Sequence, residues 1–355
     1  MKLFAGSSNI PLASKVAEKL GLELSPIEHH TFPDGEQRIM LMEKVSNQDA
    51  VVIQSTGMPT DKNYMELYFI IDALRRSGAR SVTVVIPYLG YQRQDHIFRE
   101  GEARSLEVVI RFMEQAGGTK FIGFDFHSVK IPELFLKPVV SLSALPLFAE
   151  KIREIYGLSR LSHTENDARR AQNSTSSQFP SSLSERQLTS KGKDKSQKEL
   201  AFSSFASGQP TALLQDTVLV SPDMGGLRRL EKMSELLGGM TTVSIEKNRD
   251  LKTGAIDAST IHGTLKKRAL IIDDMISSGR TIVQASEMLA RNGVEEQYVF
   301  ATHPVFSEDA PMILQGSQVQ KVFVTDSIHV PEEKQFAKLS IISIAELLAE
   351  QLKVN

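Results

Sequence analysis

The chain has 355 residues, 41% of them hydrophobic, which is enough for two or three domains with buried cores. Its formal net charge of −2 argues against extensive binding to nucleic acid or to a membrane surface. Cysteine is absent, which excludes disulfides, thiolate nucleophiles and cysteine-based zinc sites. Because neither a signal-peptide pattern nor a membrane-spanning apolar run is found, we expect a cytoplasmic location.

Short apolar runs alternate with helical patterns along the chain. The first half contains KLFAG, AVVIQS, SVTVVIP and KFIGFD, and after residue 215 come TVLVSP, TTVSIEK, RALIIDD, QYVFATH and KVFVTDS. This alternation predicts βαβ units, with mainly parallel sheets covered by helices on both faces. The two halves have similar length and order, which indicates a tandem pair of related α/β domains. Ligands of such sheets bind at the carboxyl ends of the strands.

Residues 159–212 interrupt the alternation. The segment is rich in Ser, Gln and Lys, with few apolar residues and no sustained period. We expect a largely disordered insertion into a loop, acting as a solvated tether.

The run RALIIDDMISSGRT carries the most informative pattern. A strand is predicted to end at Asp273 and Asp274, and small residues then lead into a helix. These small residues are Ser277, Ser278, Gly279 and Thr281. The free N–H groups of such a turn bind phosphate, and the carboxylates are placed to accept hydrogen bonds from vicinal hydroxyls. Together they indicate a pentose 5-phosphate site, and the alternative is an ordinary strand-turn-helix with a solvated acidic pair.

Further polar clusters are predicted in the first half. Phe32, Asp34 and Glu36 stand in FPDGE, a turn between two extended runs that is also common in plain hairpins. A second cluster follows an apolar strand and is suited to phosphate, base or metal-bound water. It consists of Arg93, Gln94 and Asp95.

Two more strand ends carry an acid or a histidine. In FDFHS, His127 is either a ligand of a phosphate-bound metal or a hydrogen-bonded partner of Asp125. Asp223 precedes two glycines and a helix in SPDMGG. Lys247 and Arg249, in EKNR, are predicted to leave a strand and enter a polar stretch, where they either close over a triphosphate or form an exposed charged loop.

FPDGE, RQD, FDFHS, SPDMGG, EKNR and DDMISSGRT, taken in this order, resemble the ribose-phosphate diphosphokinase family, also called phosphoribosyl pyrophosphate synthetases. The resemblance covers nearly the whole chain apart from the insertion. It implies two phosphoribosyltransferase-like domains about a pseudo-twofold axis, and transfer of the diphosphoryl group of ATP to ribose 5-phosphate with release of AMP. FREGEA, EKNR, THPVF and VTDS are closer to the archaeal-type branch.

The resemblance also implies roles and partners. Phe32, Asp34 and Glu36 match an adenine-binding loop supplied by a neighbouring subunit, so a homo-oligomer is expected. Arg93, Gln94 and Asp95 match the ATP-binding stretch. His127 and Asp223 match positions that help to hold Mg²⁺, Lys247 and Arg249 match the catalytic loop, and the DDMISSGRT residues named above match the ribose 5-phosphate site.

The chain departs from the family at two positions. Arg280 stands where the phosphate loop usually has a second glycine, so its side chain must either point away from the phosphate or contact it. Ser46 stands where the common form has an arginine of its allosteric phosphate and ADP site. We therefore expect no requirement for free inorganic phosphate.

The predicted domains are residues 1–145, residues 146–335 with the insertion, and a C-terminal strand and helix at 336–355 that pack on the N-terminal domain. Two other functions remain open. A phosphoribosyltransferase would use the same ribose loop without FPDGE or RQD. A non-catalytic regulatory relative would lose the acids or the cationic pair, which this chain keeps.

Overall fold

A computed structural model describes residues 1–97, 99–157, 212–249 and 256–354, with the backbone alone at 212–213, 247–249 and 256–259. The insertion predicted at 159–212 lies outside these ranges, except for its last residue. The described chain alternates strands and helices, which confirms the predicted α/β class. No helix in these ranges combines the length and the apolar character needed to cross a bilayer.

The strands form two large sheets and one hairpin. The first half contributes β1 (Lys2–Ala5), β2 (Leu24–Ser25), β3 (Ile27–Thr31), β4 (Gln37–Leu41), β5 (Asp49–Ile53), β6 (Ser81–Ile86), β7 (Lys120–Phe124) and β8 (Val139–Leu142). The second half contributes β9 (Thr217–Ser221), β10 (Thr242–Arg249), β11 (Ile256–His262), β12 (Arg268–Ile276), β13 (Glu296–Pro304), β14 (Lys321–Thr325) and β15 (Leu339–Ile342).

The helices follow the same alternation. They are α1 (Ile10–Leu20), α2 (Thr60–Arg76), α3 (Ser105–Ala116), α4 (Leu145–Ile155), α5 (Ala212–Gln215), α6 (Leu227–Leu236), α7 (Arg280–Arg291), α8 (Ala310–Gly316) and α9 (Ala345–Lys353). Helices α1, α4 and α8 each have proline in the first turn, a position where proline is common because its missing N–H would have no partner there.

Sheet order repeats between the halves. The first sheet runs β2-β1-β5-β6-β7-β8 and is parallel throughout, while the second runs β11-β10-β9-β12-β13-β14-β15 with only β11 antiparallel. The hairpin β3–β4 of the first half stands where β10 and β11 pair in the second. The two halves therefore share one topology, as the sequence predicted.

One hydrophobic core is shared by the two sheets. Alternate strand residues point into it, such as Leu3 from β1 and Leu270 from β12, while their neighbours Phe4 and Ile271 face a separate core in each half. Helices α1, α4, α6 and α9 cover the shared core.

Each half also lends a helix to the other. The last helix, α9, packs on α1, where Lys19 forms an ion pair with Glu346, and α4 packs on α6. The C-terminal helix therefore lies against the first half, whereas β15, which precedes it, is an edge strand of the second sheet.

Candidate active site at the carboxyl ends of the strands

Asp273 and Asp274 lie inside β12 and do not end it, so the predicted end of this strand is wrong. Pairing with β13 continues beyond them, from Met275 with His303 to Ile276 with Pro304. Strands β12 and β13 are both long, and their backbone pairing extends past the acidic pair. The carboxylates are consequently fixed by the sheet, and the phosphate turn follows two residues later.

Asp274 is buried and Asp273 partly buried, and two cationic groups compensate the pair. Asp274 is 3% exposed and accepts a hydrogen bond of 2.7 Å from Nδ1 of His127, which comes from the other half of the chain. Arg229, on α6, reaches both acids, with Nη1 3.7 Å from Asp273 and Nη2 3.6 Å from Asp274. The site is therefore built across the two halves.

Charge and burial give the two acids opposite properties. Burial and the charge of Asp274 raise the pKa of Asp273 well above its usual range. Burial alone would also raise the pKa of Asp274, but the bond from His127 and the charge of Arg229 outweigh it and hold that pKa low. The same hydrogen bond raises the pKa of His127. Burial and the neighbouring carboxylate thus disfavour the charged form of Asp273, and a cation bound beside it would restore that form.

The small-residue turn begins helix α7 as predicted. Gly279 has a φ of 74°, a left-handed conformation that a side chain would strain, and it caps the helix. Ser277 and Ser278 are partly buried, and the Ser277 hydroxyl lies 3.1 Å from that of Ser307. The turn thus presents hydroxyls and the first N–H groups of a helix, next to the acidic pair.

Arg280 points away from this turn. Its side chain is 72% exposed, and Nη2 donates to Glu308 at 3.1 Å. Of the two orientations that the sequence left open, the structure shows the one that keeps the guanidinium clear of the phosphate turn.

Asp125 is not the partner of His127, so that alternative interpretation is wrong. Its carboxylate accepts hydrogen bonds from the Ser143 hydroxyl (2.6 Å), the Ala144 N–H (2.8 Å) and the Thr302 hydroxyl (2.7 Å). Asp125 therefore joins the end of β7 to the start of α4 and to the second half of the chain.

The cluster after β6 lies near this pair. Gln92, which the sequence analysis did not select, is buried, and its Oε1 accepts the backbone N–H of His127 at 3.0 Å. Asp95 is buried and its charge contributes to the raised pKa of His127. Arg93 and Gln94 are exposed beside it. The predicted RQD residues therefore border the His127 loop.

Asp223 is exposed and organises its own loop. Its Oδ1 accepts the N–H groups of Gly225 at 2.9 Å and Gly226 at 3.2 Å. The charge of Asp223 also helps to raise the pKa of Asp273, so it lies within electrostatic reach of the acidic pair.

Phe32, Asp34 and Glu36 form the tip of the β3–β4 hairpin. The backbone N–H of Phe32 donates to the Glu36 carbonyl at 2.8 Å, and Asp34 accepts the Glu36 N–H at 3.1 Å. Phe32 is 39% exposed, and its ring packs edge-on against His30 at 4.6 Å. The Phe32 ring therefore has a local partner within the hairpin.

Lys247 and Arg249 lie within β10, which corrects the prediction that they have left the strand. Their backbones pair with Ser259 and Ile256 of β11, with a bulge between Asn248 and Arg249. The residues that connect the two strands lie outside the described ranges.

The donor set fits Mg²⁺ held largely through water. In the described part of the chain no three metal-type side chains converge on one point. Mg²⁺ usually keeps several waters and binds one or two carboxylates. Asp223 lies within electrostatic reach of Asp273, so the carboxylates that such an ion needs are present.

Comparison with known proteins gives one consistent family. Residues 1–117 match the N-terminal domain of ribose phosphate pyrophosphokinase, and residues 256–354 match the phosphoribosyl synthetase-associated domain. A putative ribose-phosphate pyrophosphokinase 2 of Lactiplantibacillus plantarum is 33% identical over 100% of this chain and 92% of its own length. The ribose-phosphate pyrophosphokinase of Bacillus caldolyticus is 32% identical over 99% and 93%. The phosphoribosylpyrophosphate synthetase structure from Mycobacterium smegmatis superposes with a TM-score of 0.79 at 28% identity, covering 99% of this chain and 97% of that one.

Two α/β halves of one topology bring an acidic pair and a small-residue turn at a helix start together, which is the arrangement expected of a protein that binds a phosphorylated sugar. Full-length similarity then makes the assignment specific. The chain belongs to the ribose-phosphate pyrophosphokinase family.

Two residues of the site were missed from sequence. Arg229 is the second of two adjacent arginines in SPDMGGLRR, and these letters do not show that its side chain reaches β12. Gln92 precedes RQD and was overlooked because only its contact with His127 distinguishes it. The helical period of α6 is the signal that could have found Arg229. It places Arg229 on the partly buried face of the helix and Arg228 on the exposed face.

Proposed function

We propose that the chain is an active ribose-phosphate diphosphokinase, which transfers the β,γ-diphosphoryl group of ATP to the anomeric hydroxyl of ribose 5-phosphate. The observation that carries this proposal is the largely buried pair Asp273–Asp274, which is followed by the small-residue turn at the start of α7 and compensated by Arg229 and His127. A non-catalytic relative would have no need to maintain buried carboxylates at this cost.

The sugar is held by the β12–α7 segment. Asp273 and Asp274 accept hydrogen bonds from the ribose hydroxyls, and the 5-phosphate binds the turn formed by Ser277, Ser278, Gly279 and Thr281. The anomeric oxygen then attacks the β-phosphorus. The bond from the β-phosphorus to the α,β-bridging oxygen breaks, AMP leaves with the electron pair, and the hydroxyl proton passes to solvent. Positioning and charge neutralisation supply most of such catalysis.

The nucleotide is held by the first half of the chain. Arg93, Gln94 and Asp95 bind ATP beside the His127 loop, which the contacts of Gln92 and Asp95 support. Phe32, Asp34 and Glu36 bind adenine from a neighbouring subunit. Lys247 and Arg249 neutralise the leaving oxygen, and their place on a two-stranded hairpin is consistent with an element that closes over the site.

Mg²⁺ is the metal in this proposal, held by His127 and Asp223 mainly through its water shell. When bound, it supplies positive charge to the phosphate oxygens of ATP. Asp274 holds Nδ1 of the His127 ring, and Gln92 holds the backbone N–H of the same residue.

We also propose a homo-oligomer. Apolar side chains are exposed along one face of the first half: Met40 on β4, Met65 and Phe69 on α2, and Val108 and Phe112 on α3. Such a face supports burial against a second copy. Light scattering at assay concentration tests this, and a fully active monomer would contradict it. Coexpression of Phe32→Ala with Asp274→Asn should restore part of the activity if two subunits share a site.

We propose three further properties. The domain boundaries lie near residues 145 and 335, the chain belongs to the archaeal-type branch, and its location is cytoplasmic. The repeated sheet order supports the two domains. FREGEA, EKNR, THPVF and VTDS support the branch, and the lack of cysteine is consistent with a reducing compartment.

The decisive experiment is incubation with ATP, Mg²⁺ and ribose 5-phosphate, with nucleotide products separated by chromatography. AMP should form only when ribose 5-phosphate is present. Formation of ADP or inorganic phosphate in place of AMP would reject diphosphoryl transfer, and activity only with phosphoribosyl pyrophosphate and a base would indicate a phosphoribosyltransferase.

A further inference from the structure

A cavity lies between the two halves of the chain, apart from the acidic pair. Its volume is about 200 Å³, and it is lined by Ser8, Ser55 and Asn63 from the first half and by His329 and Lys334 from the second. None of these residues belongs to the candidate active site.

Strand register shows what this cavity corresponds to in the other half. Leu3 pairs with Val51 and points into the shared core, just as Leu219 pairs with Leu270. Counting along the strands from these two pairs aligns Gln54 with Asp273, Ser55 with Asp274 and Ser7 with Asp223. The first half therefore has serine, glutamine and serine at the positions where the second half has three carboxylates.

The other wall of the cavity obeys the same symmetry. The backbone N–H of Asp125 donates to Leu142 and its carboxylate accepts from Ala144, while Asp326 makes the same two bonds with Ile342 and Ile344.

His329 thus follows Asp326 along the segment that corresponds to the His127 loop. Tyr88 and His303 occupy matching places after β6 and within β13, and their rings meet at 5.0 Å, close to the pseudo-twofold axis. The cavity is the pseudo-symmetric counterpart of the candidate active site.

The chemistry of the two sites differs because of these substitutions. The residues lining the cavity within the described ranges include no carboxylate, and Lys334 is their one permanent cation. Glu332 and Glu333 precede Lys334, but both are exposed and outside the lining.

The Ser8 and Ser55 hydroxyls already donate to Gln54 and to the Ser327 carbonyl, so the donors left for a ligand are the N–H groups of Asn63, His329 and Lys334. A site without carboxylates is unsuited to Mg²⁺, and these donors favour an anion.

We propose that this cavity binds a small tetrahedral oxyanion of the phosphate class, either inorganic phosphate or the phosphate end of a phosphomonoester. Lys334 donates one N–H to the Phe306 carbonyl at 2.8 Å, and an ammonium group has three such donors. Asn63 is 5% exposed and held by its bond to the Gly57 carbonyl at 2.8 Å. Since the lining comes from both halves, the bound anion joins them and raises the melting temperature.

The test is equilibrium dialysis of the full-length protein with radiolabelled inorganic phosphate. All variants carry Ser278→Asp, which repels anions from the phosphate turn of the candidate active site, so that the cavity is measured alone. In this background we expect one phosphate bound per chain. His329→Glu places a carboxylate in the exposed part of the lining and should weaken binding at least tenfold, and Lys334→Met should do the same.

Lys338→Met is the matched control, because Lys338 also donates to a backbone carbonyl, that of Ser317 at 2.7 Å, but does not line the cavity. It should leave binding unchanged. His329→Glu alters an exposed residue, and an unaltered melting temperature in phosphate-free buffer verifies its folding. Unchanged binding in His329→Glu, or no binding in the Ser278→Asp background, overturns the proposal.

Competition identifies the source of the anion. Displacement of the label by glycerol 3-phosphate at comparable concentration assigns the site to phosphomonoesters, while failure to displace assigns it to inorganic phosphate. Binding is measured without turnover, so the result does not depend on whether the enzymatic proposal holds.

Discussion

The acidic site and the carboxylate-free cavity occupy matching places on one scaffold, and the first half has serine, glutamine and serine where the second half has three carboxylates. Both lie where the sheets of one half meet loops of the other. The second half has three acids close together there, Asp223, Asp273 and Asp274, and their charges act on one another. Topology therefore fixes where a ligand can sit, whereas the residues at the strand ends decide which ligand it is.

The first half also buries one carboxylate in this region, Glu66, whose Oε1 lies 3.5 Å from Nδ1 of His29. Ser7 donates both its N–H and its hydroxyl to the buried Glu66, and Ser8 donates to Gln54. The acidic side instead recruits Arg229 and, from the other half, His127. Buried carboxylates persist only where such partners exist, so the compensating groups belong to the site as much as the acids do.

Replacing the cations of the β10–β11 hairpin should give the largest effect. Loss of an electrostatic contact made mainly in the transition state costs about 2–4 kcal/mol, which is roughly a 30- to 900-fold fall in kcat. We expect this for Lys247→Ala and for Arg249→Ala, with little change in KM for ribose 5-phosphate. Steady-state kinetics measure both constants.

Lys267→Ala is the control for these variants, because Lys267 is an exposed cation just before β12, at the end of the strand opposite the phosphate turn. Near-normal kcat in both hairpin variants would show that β10 and β11 have no part in catalysis.

Arg229→Met tests the compensation of the acidic pair. It leaves the two carboxylates without the cation that lies 3.6–3.7 Å from both, and a buried polar group that loses its partner costs about 1–3 kcal/mol. We expect the free energy of unfolding, measured with urea in metal-free buffer, to fall by an amount in that range. Arg228→Met alters the exposed neighbour on α6 and should have almost no effect. Equal stabilities of the two variants would mean that Arg229 does not balance the acids.

Local sequence pattern predicted the sheets, the phosphate turn and the acidic pair. Period and turn chemistry are properties of neighbouring residues, so RALIIDDMISSGRT carried enough information to place Asp273 and Asp274 beside a helix start. The end of β12 was misplaced because ladder pairing with β13 outweighs the polar character of the two acids.

The contacts between the halves could not be predicted in this way. Asp125 accepts from Thr302, and His127 donates to Asp274, across more than a hundred residues of sequence. Nothing near Asp125 in the chain distinguishes a strand-end acid that binds a metal from one that joins two domains. Such pairings follow from the packing of two complete sheets, which a single sequence does not reveal.

His303 offers a test of the region near the pseudo-twofold axis. The ring is fully buried, and burial lowers its pKa below the usual value. The unfolded chain then binds a proton that the folded chain does not, so this residue reduces stability as the pH falls below about 6.5. The slope attributable to one group is at most about 1.4 kcal/mol per pH unit.

We expect His303→Asn to show a shallower loss of unfolding free energy between pH 7 and pH 5 than the parent protein, as measured by urea titration at each pH. The exposed His329→Asn serves as the control and should keep the parent slope. Parallel curves for His303→Asn and the parent would mean that the buried ring is not a source of the acid sensitivity.

The smallest expected effect is that of inorganic phosphate on the initial rate. Ser46 lies in a turn, with the Gln48 N–H bonded to the Val45 carbonyl, so Lys44 does not share a regular extended face with it. The nearby Arg80 is bound to Asp49 through both Nε (2.8 Å) and Nη2. A serine hydroxyl cannot replace the bidentate cation of a regulatory phosphate pocket.

Rates in phosphate-free buffer should therefore equal those with added phosphate, and ADP should compete only with ATP. Phosphate in the carboxylate-free cavity is expected to raise the melting temperature without changing the rate, because the residues lining this cavity contact neither Asp274 nor His127. If phosphate activates several-fold and Lys334→Met abolishes the activation, the cavity is regulatory and the functional contrast between the two sites fails. If activation survives in Lys334→Met, or ADP inhibits at saturating ATP, a further effector site exists and the reasoning from Ser46 is wrong.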